Sequence, residues 1–500
     1  MQVIKRANER KLGAAMSLAA TGVNGILGLA YVPVLLQFLT GSEYGVYELV
    51  GSLIGYMSVL DLGFSTTLTR FCVRERAKGL QAERNLLAMA GVVYTIITVG
   101  AVIVGIVSNE LLDPLLSGGF TAEELELTHR LMTLVIINCA IVLPGNYFLS
   151  IINSYERFIF ARALLLVRYL LQFAGVVSFL VLGFSAFGAV MAQVLANFVT
   201  VIASAYFCFA KLDVRPKLIQ WNMSLIKELI SFSVFVLLGL LFNQVFLKTG
   251  QVILGAVSGT FAVGVYSLSC KITSFYIQVA NSMSTVFLPQ LTELVMRGNH
   301  EREINAIFVK VGKVQAALVW GVLVAFVLLG QEFVAIWAGQ QYGEMYLVTI
   351  VLMLGFSVDL VQNLGIQLLQ ATNRLAFRNV VLTAVCIFDI VLSVSVAPHY
   401  GPLGCAVVTA TLMFAASGPI MNVYYAKYAN IDIPSFWANL TPEMLRLVGT
   451  GAICMLLYLF IPNAGGMTAF IQKVVIFLVI YSLMHLPLIK QLFGKSAKRG

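Results

Sequence analysis

Long apolar runs separated by short polar gaps fill almost the whole chain. Each run approaches the ~20 residues that a helix needs to cross the hydrocarbon of a bilayer. Their limits fall near 13–38, 45–66, 86–108, 131–152, 164–183, 187–209, 229–256, 262–287, 312–331, 345–370, 379–397, 403–425, 444–461 and 468–489. The pattern predicts an all-α polytopic membrane protein with 14 transmembrane helices. Residues 41–71 show it in miniature. A polar turn at Gly41-Ser42-Glu43 leads into an apolar run from Gly45 to Ser65, which closes on Asp61-Leu62-Gly63 and the basic tail Arg70, Arg74, Arg76 and Lys78.

Charge tests the count. With the N-terminus inside, 28 of the 32 Lys and Arg residues fall in cytoplasmic segments, as the positive-inside rule requires. Both termini are therefore expected in the cytoplasm. The net charge of +9 then needs no nucleic-acid partner. Composition agrees with a membrane chain: 59% hydrophobic, 11% charged, mean hydropathy +0.91. A soluble domain carries roughly 25% charge. The first run, near 26 residues, exceeds the ~7–15-residue core of a signal peptide, so a retained first helix is expected. The polar gaps leave no room for an ATP-binding domain, and no G-x-x-x-x-G-K-[ST] loop occurs. The seven cysteines are scattered, with no C-x-x-C; neither a disulfide framework, a metal site nor a cofactor is expected.

The chain also repeats. Gly45-Val46-Tyr47 returns as Gly264-Val265-Tyr266, Arg157-x-x-Phe160 as Arg374-x-x-Phe377, and Phe187-Gly188 as Leu403-Gly404, at offsets of 219, 217 and 216 residues. A near-constant offset at equivalent places marks an internal duplication. Six spans per copy give two lobes of the same orientation. The expected division is an N-terminal lobe over 1–222, a C-terminal lobe over 223–428, and a helix pair with a basic tail over 429–500. The longest outer loop, 109–130, is acidic, and Thr121 with Glu124 reads as a capping box for a short surface helix.

Charges inside spans are expensive and usually face a cavity or a partner. Lys248 and Lys271 each lie about nine residues from the outer turn, hence ~13 Å deep at 1.5 Å per residue. Polar side chains share their helix faces: Gln244 and Gln251 with Lys248, and Ser274, Gln278, Ser282 and Thr285 with Lys271. Asp359, Gln362 or Asn363, Gln367 and Gln370 form a third stripe, and Ser17, Thr21, Asn24 and Gly28 a fourth. Such stripes line a hydrated path or, alternatively, bond helix to helix. Asp359 is a candidate for ion coupling, or a charge partner of either lysine. Asp389 has few polar neighbours in sequence. Glu48 lies close to the outer surface, and Asp61 is placed to hold Arg70 or a helix contact.

The run from Gly41 to Tyr47, then Leu60-Asp61-Leu62-Gly63 and Thr69-Arg70, with Phe287-Leu-Pro-Gln-Leu291 at the exit of span 8, resembles the bacterial polysaccharide (oligosaccharide) flippase family. That Wzx-like family belongs to the multidrug/oligosaccharidyl-lipid/polysaccharide (MOP) superfamily. The resemblance implies a flippase, not an enzyme, in the bacterial inner membrane. It would carry an undecaprenyl-diphosphate-linked oligosaccharide to the outer leaflet by alternating access, for surface polysaccharide synthesis. The partners implied are that lipid-linked glycan, membrane lipid, H⁺ or Na⁺, and a polysaccharide polymerase. On this reading Lys248 and Lys271 face the diphosphate, and Gln244, Gln278, Gln362 and Gln367 face the sugars. A MATE-type cation or drug antiporter is the alternative. Its cargo favours an acidic cavity, where this chain offers two lysines. A glycan polymerase would need a larger, functionally charged outer loop.

Overall fold

The computed structural model describes residues 16, 22–23, 25–59, 61, 63–284, 287–297, 301–372, 374–461 and 466–487. Ser17, Thr21, Asn24, Thr285 and the terminal basic clusters lie outside the described residues, as does the side chain of Gln244. The described chain is nearly all helix. Eight of its helices are long and apolar enough to cross a membrane, or nine if one bent pair counts as a span. A helix satisfies its backbone polar groups within itself, which hydrocarbon demands.

The helices run, in order, α1 (Gly25–Phe38), α2 (Gly41–Val59), α3 (Phe64–Lys78), α4 (Leu80–Glu110), α5 (Leu112–Leu116), α6 (Ala122–Ser154), α7 (Phe158–Val181) and α8 (Ser185–Tyr206). Next come α9 (Met223–Gln244), α10 (Gly250–Val257), α11 (Thr260–Ser284), α12 (Leu288–Arg297), α13 (Glu301–Trp337), α14 (Met345–Val361) and α15 (Asn363–Ala371). The chain ends with α16 (Leu375–Ala415), α17 (Met421–Tyr428), α18 (Ile433–Tyr458) and α19 (Met467–Met484). π turns at Phe207–Lys211, Val245–Thr249 and Ala416–Ile420 continue α8, join α9 to α10 and join α16 to α17. Among the described residues helix lies in each of the expected spans, and the 54 residues from Leu375 to Tyr428 contain two of them. Gly401, at φ 55° and ψ −142°, breaks that run; such a left-handed turn suits glycine.

Two edges differ from the sequence reading. The helix of residues 41–71 does not run through to Ser65. It stops at Val59, turns at Gly63 (φ 65°) and restarts as α3. The carboxylate of Asp61 accepts the Ser65 N–H at 3.2 Å and so anchors the new helix. The capping box is real, but it opens α6 itself, a 33-residue helix, rather than a surface helix. The short surface helix is α5.

The chain forms two compact units, residues 1–264 and 265–500. The repeat places its boundary earlier, at 222/223, but α9 and α10 pack against α2, α3 and α5 and so belong to unit 1. In unit 1, α6 is the central post and meets α2, α3, α4 and α8. At one end of the unit a core of Phe64, Leu68, Leu87, Tyr94, Tyr147 and Ile151 is sealed by edge-on rings, Phe64 to Tyr94 at 5.2 Å and Tyr94 to Tyr147 at 5.8 Å. The same end holds the basic tail. Arg74 forks onto Glu228 (2.6 and 3.0 Å), and Arg76 bonds Glu83 and the Ser154 carbonyl. At the other end, a Cβ on Gly45 would stand 1.9 Å from the Thr260 carbonyl oxygen. Only glycine lets these backbones meet. In unit 2, α13 packs on α14, α18 and α19, and α14 on α16. The C-terminal pair is tied in by Tyr481, whose hydroxyl donates to the Ala317 carbonyl at 2.9 Å.

Candidate functional site

Lys248 belongs to unit 1 and Lys271 to unit 2. Both are half-buried within helices. Lys248 sits on the π turn Val245–Thr249, the one-residue widening that recurs at functional sites in helices. The buried Gln251 follows one turn later. On α11, Gln278 and Ser282 are exposed, while Ser274 spends its hydroxyl on the Cys270 carbonyl. Of the third stripe, Gln362 donates to Asn422 and Asn363 to Asn281; Gln367 is buried. Those bonded amides join helix to helix within unit 2. The bend of 43° between α14 and α15 falls at Gln362, whose Oε1 is buried with no hydrogen-bond donor among the described residues.

Asp359 is not bonded to a lysine. Arg378 closes on it as a fork, Nη1 to Oδ1 at 2.9 Å and Nη2 to Oδ2 at 3.1 Å. Ser417, on the π turn Ala416–Ile420, adds a hydroxyl bond to Oδ1 at 3.1 Å. Both charges are largely out of solvent. Bidentate geometry and a third donor are what such a buried pair needs to repay its desolvation. Asp389 is likewise satisfied, accepting from Thr409 Oγ1 at 2.8 Å. In unit 1, Asp61 and Arg70 do not meet. Asp61 takes the Ser65 N–H and an N–H of Asn146 (3.4 Å), while Arg70 is exposed over the Phe232 ring at 4.7 Å.

Unit 1 also holds a cavity of about 80 Å³, of mixed polar and apolar lining, between α6, α7 and α8. Asn146, Arg168, Asn197, Thr200 and Ser204 face it, with apolar walls from Val142, Leu149 and Leu165. The neutral groups are mostly engaged: Asn197 donates to Asn138 at 2.8 Å, Thr200 to the Asn197 carbonyl, and Ser204 to the Thr200 carbonyl. Arg168 is different. Its Nε is buried without a hydrogen-bond acceptor among the described residues. Its one described contact is with the ring beside it in the chain, Tyr169, at 5.5 Å.

Sequence reasoning counted Arg168 and Arg378 among cytoplasmic charges because each lies near the start of an apolar run. The helices start earlier than the runs. Arg168 falls ten residues into α7, ~15 Å along its axis. Arg378 lies one turn into α16, and only the side-chain fork reveals its partner.

The sequence model of the family described as "Polysaccharide biosynthesis protein" matches residues 12–295, more than half of the chain. The chain belongs to this family. No curated relative matches it by sequence. Among solved structures it is similar to "Lipid II flippase MurJ, inward closed conformation", at TM-score 0.76 and 15% identity, covering 95% of this chain and 100% of that one. It is also similar to an inward-facing multidrug resistance MATE family transporter of the MOP superfamily, at TM-score 0.62 and 16% identity, covering 83% and 99%. A MOP superfamily transporter from Pyrococcus furiosus aligns at TM-score 0.54 and 16% identity, covering 89% and 95%. These likenesses establish the MOP fold of this polysaccharide biosynthesis protein. The fold is that of the lipid II flippase and the MATE family transporter it is similar to.

Proposed function

We propose that the protein is a flippase that carries an undecaprenyl-diphosphate-linked oligosaccharide from the cytoplasmic to the outer leaflet of a bacterial inner membrane, by alternating access, for surface polysaccharide synthesis. The family match over residues 12–295 carries this reading. The basic residues support 14 crossings with both termini in the cytoplasm. A diphosphate crossing hydrocarbon needs compensating cations, and half-buried Lys248 and Lys271 are suited to it. Gln244, Gln278, Gln362 and Gln367 are proposed on the sugar side, with Gln362 available only if its bond to Asn422 opens. Asp359 is proposed as a coupling acid for H⁺ or Na⁺ that would have to release Arg378 first. Polymerase machinery is the expected recipient of the glycan, and no catalytic step is assigned to this chain.

The MATE-type cation antiporter shares the fold but has weaker support. Its cargo needs unneutralised acid, and both oxygens of Asp359 already face Arg378. The decisive test is a deletion strain complemented with wild type or with Lys248→Ala/Lys271→Ala. Loss of surface glycan on deletion, with drug sensitivity unchanged, supports the flippase; lost drug efflux with normal glycan overturns it. The double variant is expected to insert normally and to fail to restore glycan. Full restoration removes both lysines from the mechanism.

A further inference from the structure

We propose that the cavity around Arg168 is a binding site for a phosphate-type anion carried by an amphiphile. Three observations converge on it. First, a guanidinium with a desolvated N–H and no carboxylate is costly in a membrane protein unless something supplies acceptor oxygens. Arg168 is in that state, with Nε buried and unbonded among the described residues. Second, the side chain does not point into a packed core. It faces a cavity of about 80 Å³, roughly two to three waters' worth of space, which suits one phosphate group better than a sugar ring. Third, the cavity walls hold few competing ligands. Thr200, Ser204 and Asn197 donate internally, and Arg168 is the cationic donor in the lining. The planar guanidinium matches two oxygens of one phosphate.

Asn146, in the cavity lining, connects to Asp61 behind it. Its charge is occupied by the Ser65 N–H and by Asn146, so it does not close on Arg168. Position favours an amphiphile. Arg168 is ~15 Å along α7 from Phe158, and Asn146 ~12 Å along α6 from Ser154, at the end of unit 1 that holds the basic tail. The residues flanking Arg168, Val167 and Leu170, are exposed and apolar, so an acyl or prenyl chain can lie along α7 while its phosphate reaches inward. Two sources share this chemistry: the diphosphate of a lipid-linked glycan, which rests on the flippase reading, and the headgroup of an anionic phospholipid, which does not.

The purified protein separates them by thermal unfolding. In neutral detergent, inorganic diphosphate and a short-chain prenyl diphosphate are titrated. In parallel, nanodiscs of phosphatidylglycerol are compared with nanodiscs of phosphatidylcholine. A rise in Tm with either diphosphate identifies the diphosphate source; a rise only with phosphatidylglycerol identifies the bulk lipid. In each case Arg168→Gln is expected to weaken apparent affinity about 30-fold or more, Arg168→Lys to keep part of the shift, and Arg162→Gln, the neighbouring arginine on α7, to keep all of it. Without anion, Arg168→Met is expected to unfold at a higher temperature than wild type, because it removes an uncompensated charge. Equal shifts in wild type and Arg168→Gln, no shift with any probe, or a lower Tm for ligand-free Arg168→Met overturns the site. The surface-glycan assay reads the flippase reading separately, so one can fail without the other.

Discussion

Two arginines, the buried Arg378 of unit 2 and the half-buried Arg168 of unit 1, have opposite surroundings. Arg378 in unit 2 spends both terminal nitrogens on Asp359, whose Oδ1 also takes a bond from Ser417. Arg168 in unit 1 leaves Nε buried and unbonded beside a cavity. The first is a closed circuit that holds α14 to α16. The second is an open valence. Position in sequence does not distinguish them, since both lie near the start of an apolar run. What distinguishes them is whether a carboxylate lies on the facing helix. A membrane helix that carries an arginine opposite an acid is building structure; one that carries it opposite amides and hydroxyls already in use is left with binding capacity.

The largest effect tests the closed circuit. Asp359→Ala strands Arg378, and removing one partner of a buried pair costs about 3–5 kcal/mol. The variant is expected to express poorly and to unfold well below wild type in detergent. Replacing both partners, as Asp359→Leu with Arg378→Met, is expected to recover most of that loss, because an apolar pair of similar volume avoids the desolvation of two charges. Unfolding temperatures of the three proteins check this. A double variant as unstable as the single one would show that the pair does more than neutralise itself. Normal glycan export by that double variant would also remove Asp359 from ion coupling.

The next effect is smaller and opposite in sign. Arg168→Met is expected to stabilise the ligand-free protein by about 1 kcal/mol, the scale on which a half-buried, unpaired polar group is penalised. The same chemical change, arginine to methionine, then destabilises alone in unit 2 and stabilises in unit 1. Equal signs at the two positions would erase the distinction between them.

Much of the fold was legible in the sequence because hydrocarbon leaves few options. Runs of about 20 apolar residues become helices, and among the described residues helix lies in each expected span. The turn at Asp61–Gly63 was visible as a motif, but its geometry was not. Leu60 and Phe64 are as apolar as any helix interior, and the left-handed backbone of Gly63 accompanies the break. The polar interior was harder to read. A stripe records which face of a helix a residue occupies, not what the facing helix offers. Gln362 and Asn363 were equally consistent with a wet path, yet they meet Asn422 and Asn281, 60 and 82 residues away in sequence. Arg168 was hidden for a different reason: the helix that buries it begins six residues before the apolar run does, at Phe158 rather than 164.

The smallest effect sharpens the comparison with a third way of holding a charge. Glu124, outside the apolar part of α6, has neither an opposite charge nor an open cavity. Burial works to raise its pKa, but the backbone N–H of Thr121, the hydroxyls of Thr260 and Ser42 and the Thr121 side chain outweigh it, and the carboxyl ends below its ordinary value. The bonds are short, 2.8 Å from Thr121 N and 2.7 Å from Thr260 Oγ1. A depressed carboxyl contributes stability that is fully present above its unfolded pKa. That contribution fades as pH falls and is gone below the folded pKa. Half-exposed and screened by solvent, Glu124 is expected to contribute on the scale of a helix cap, about 1 kcal/mol or less. Glu124→Gln should therefore lower Tm at pH 7, and the gap to wild type should narrow as pH drops through the carboxylate range. The gap read at pH 7 and again near the acid limit of stability checks it. A gap that stays constant would mean that the glutamine amide reproduces the lock and that the charge itself contributes nothing. In that case neutral donors suffice at this end of unit 1, and the contrast narrows to the two arginines.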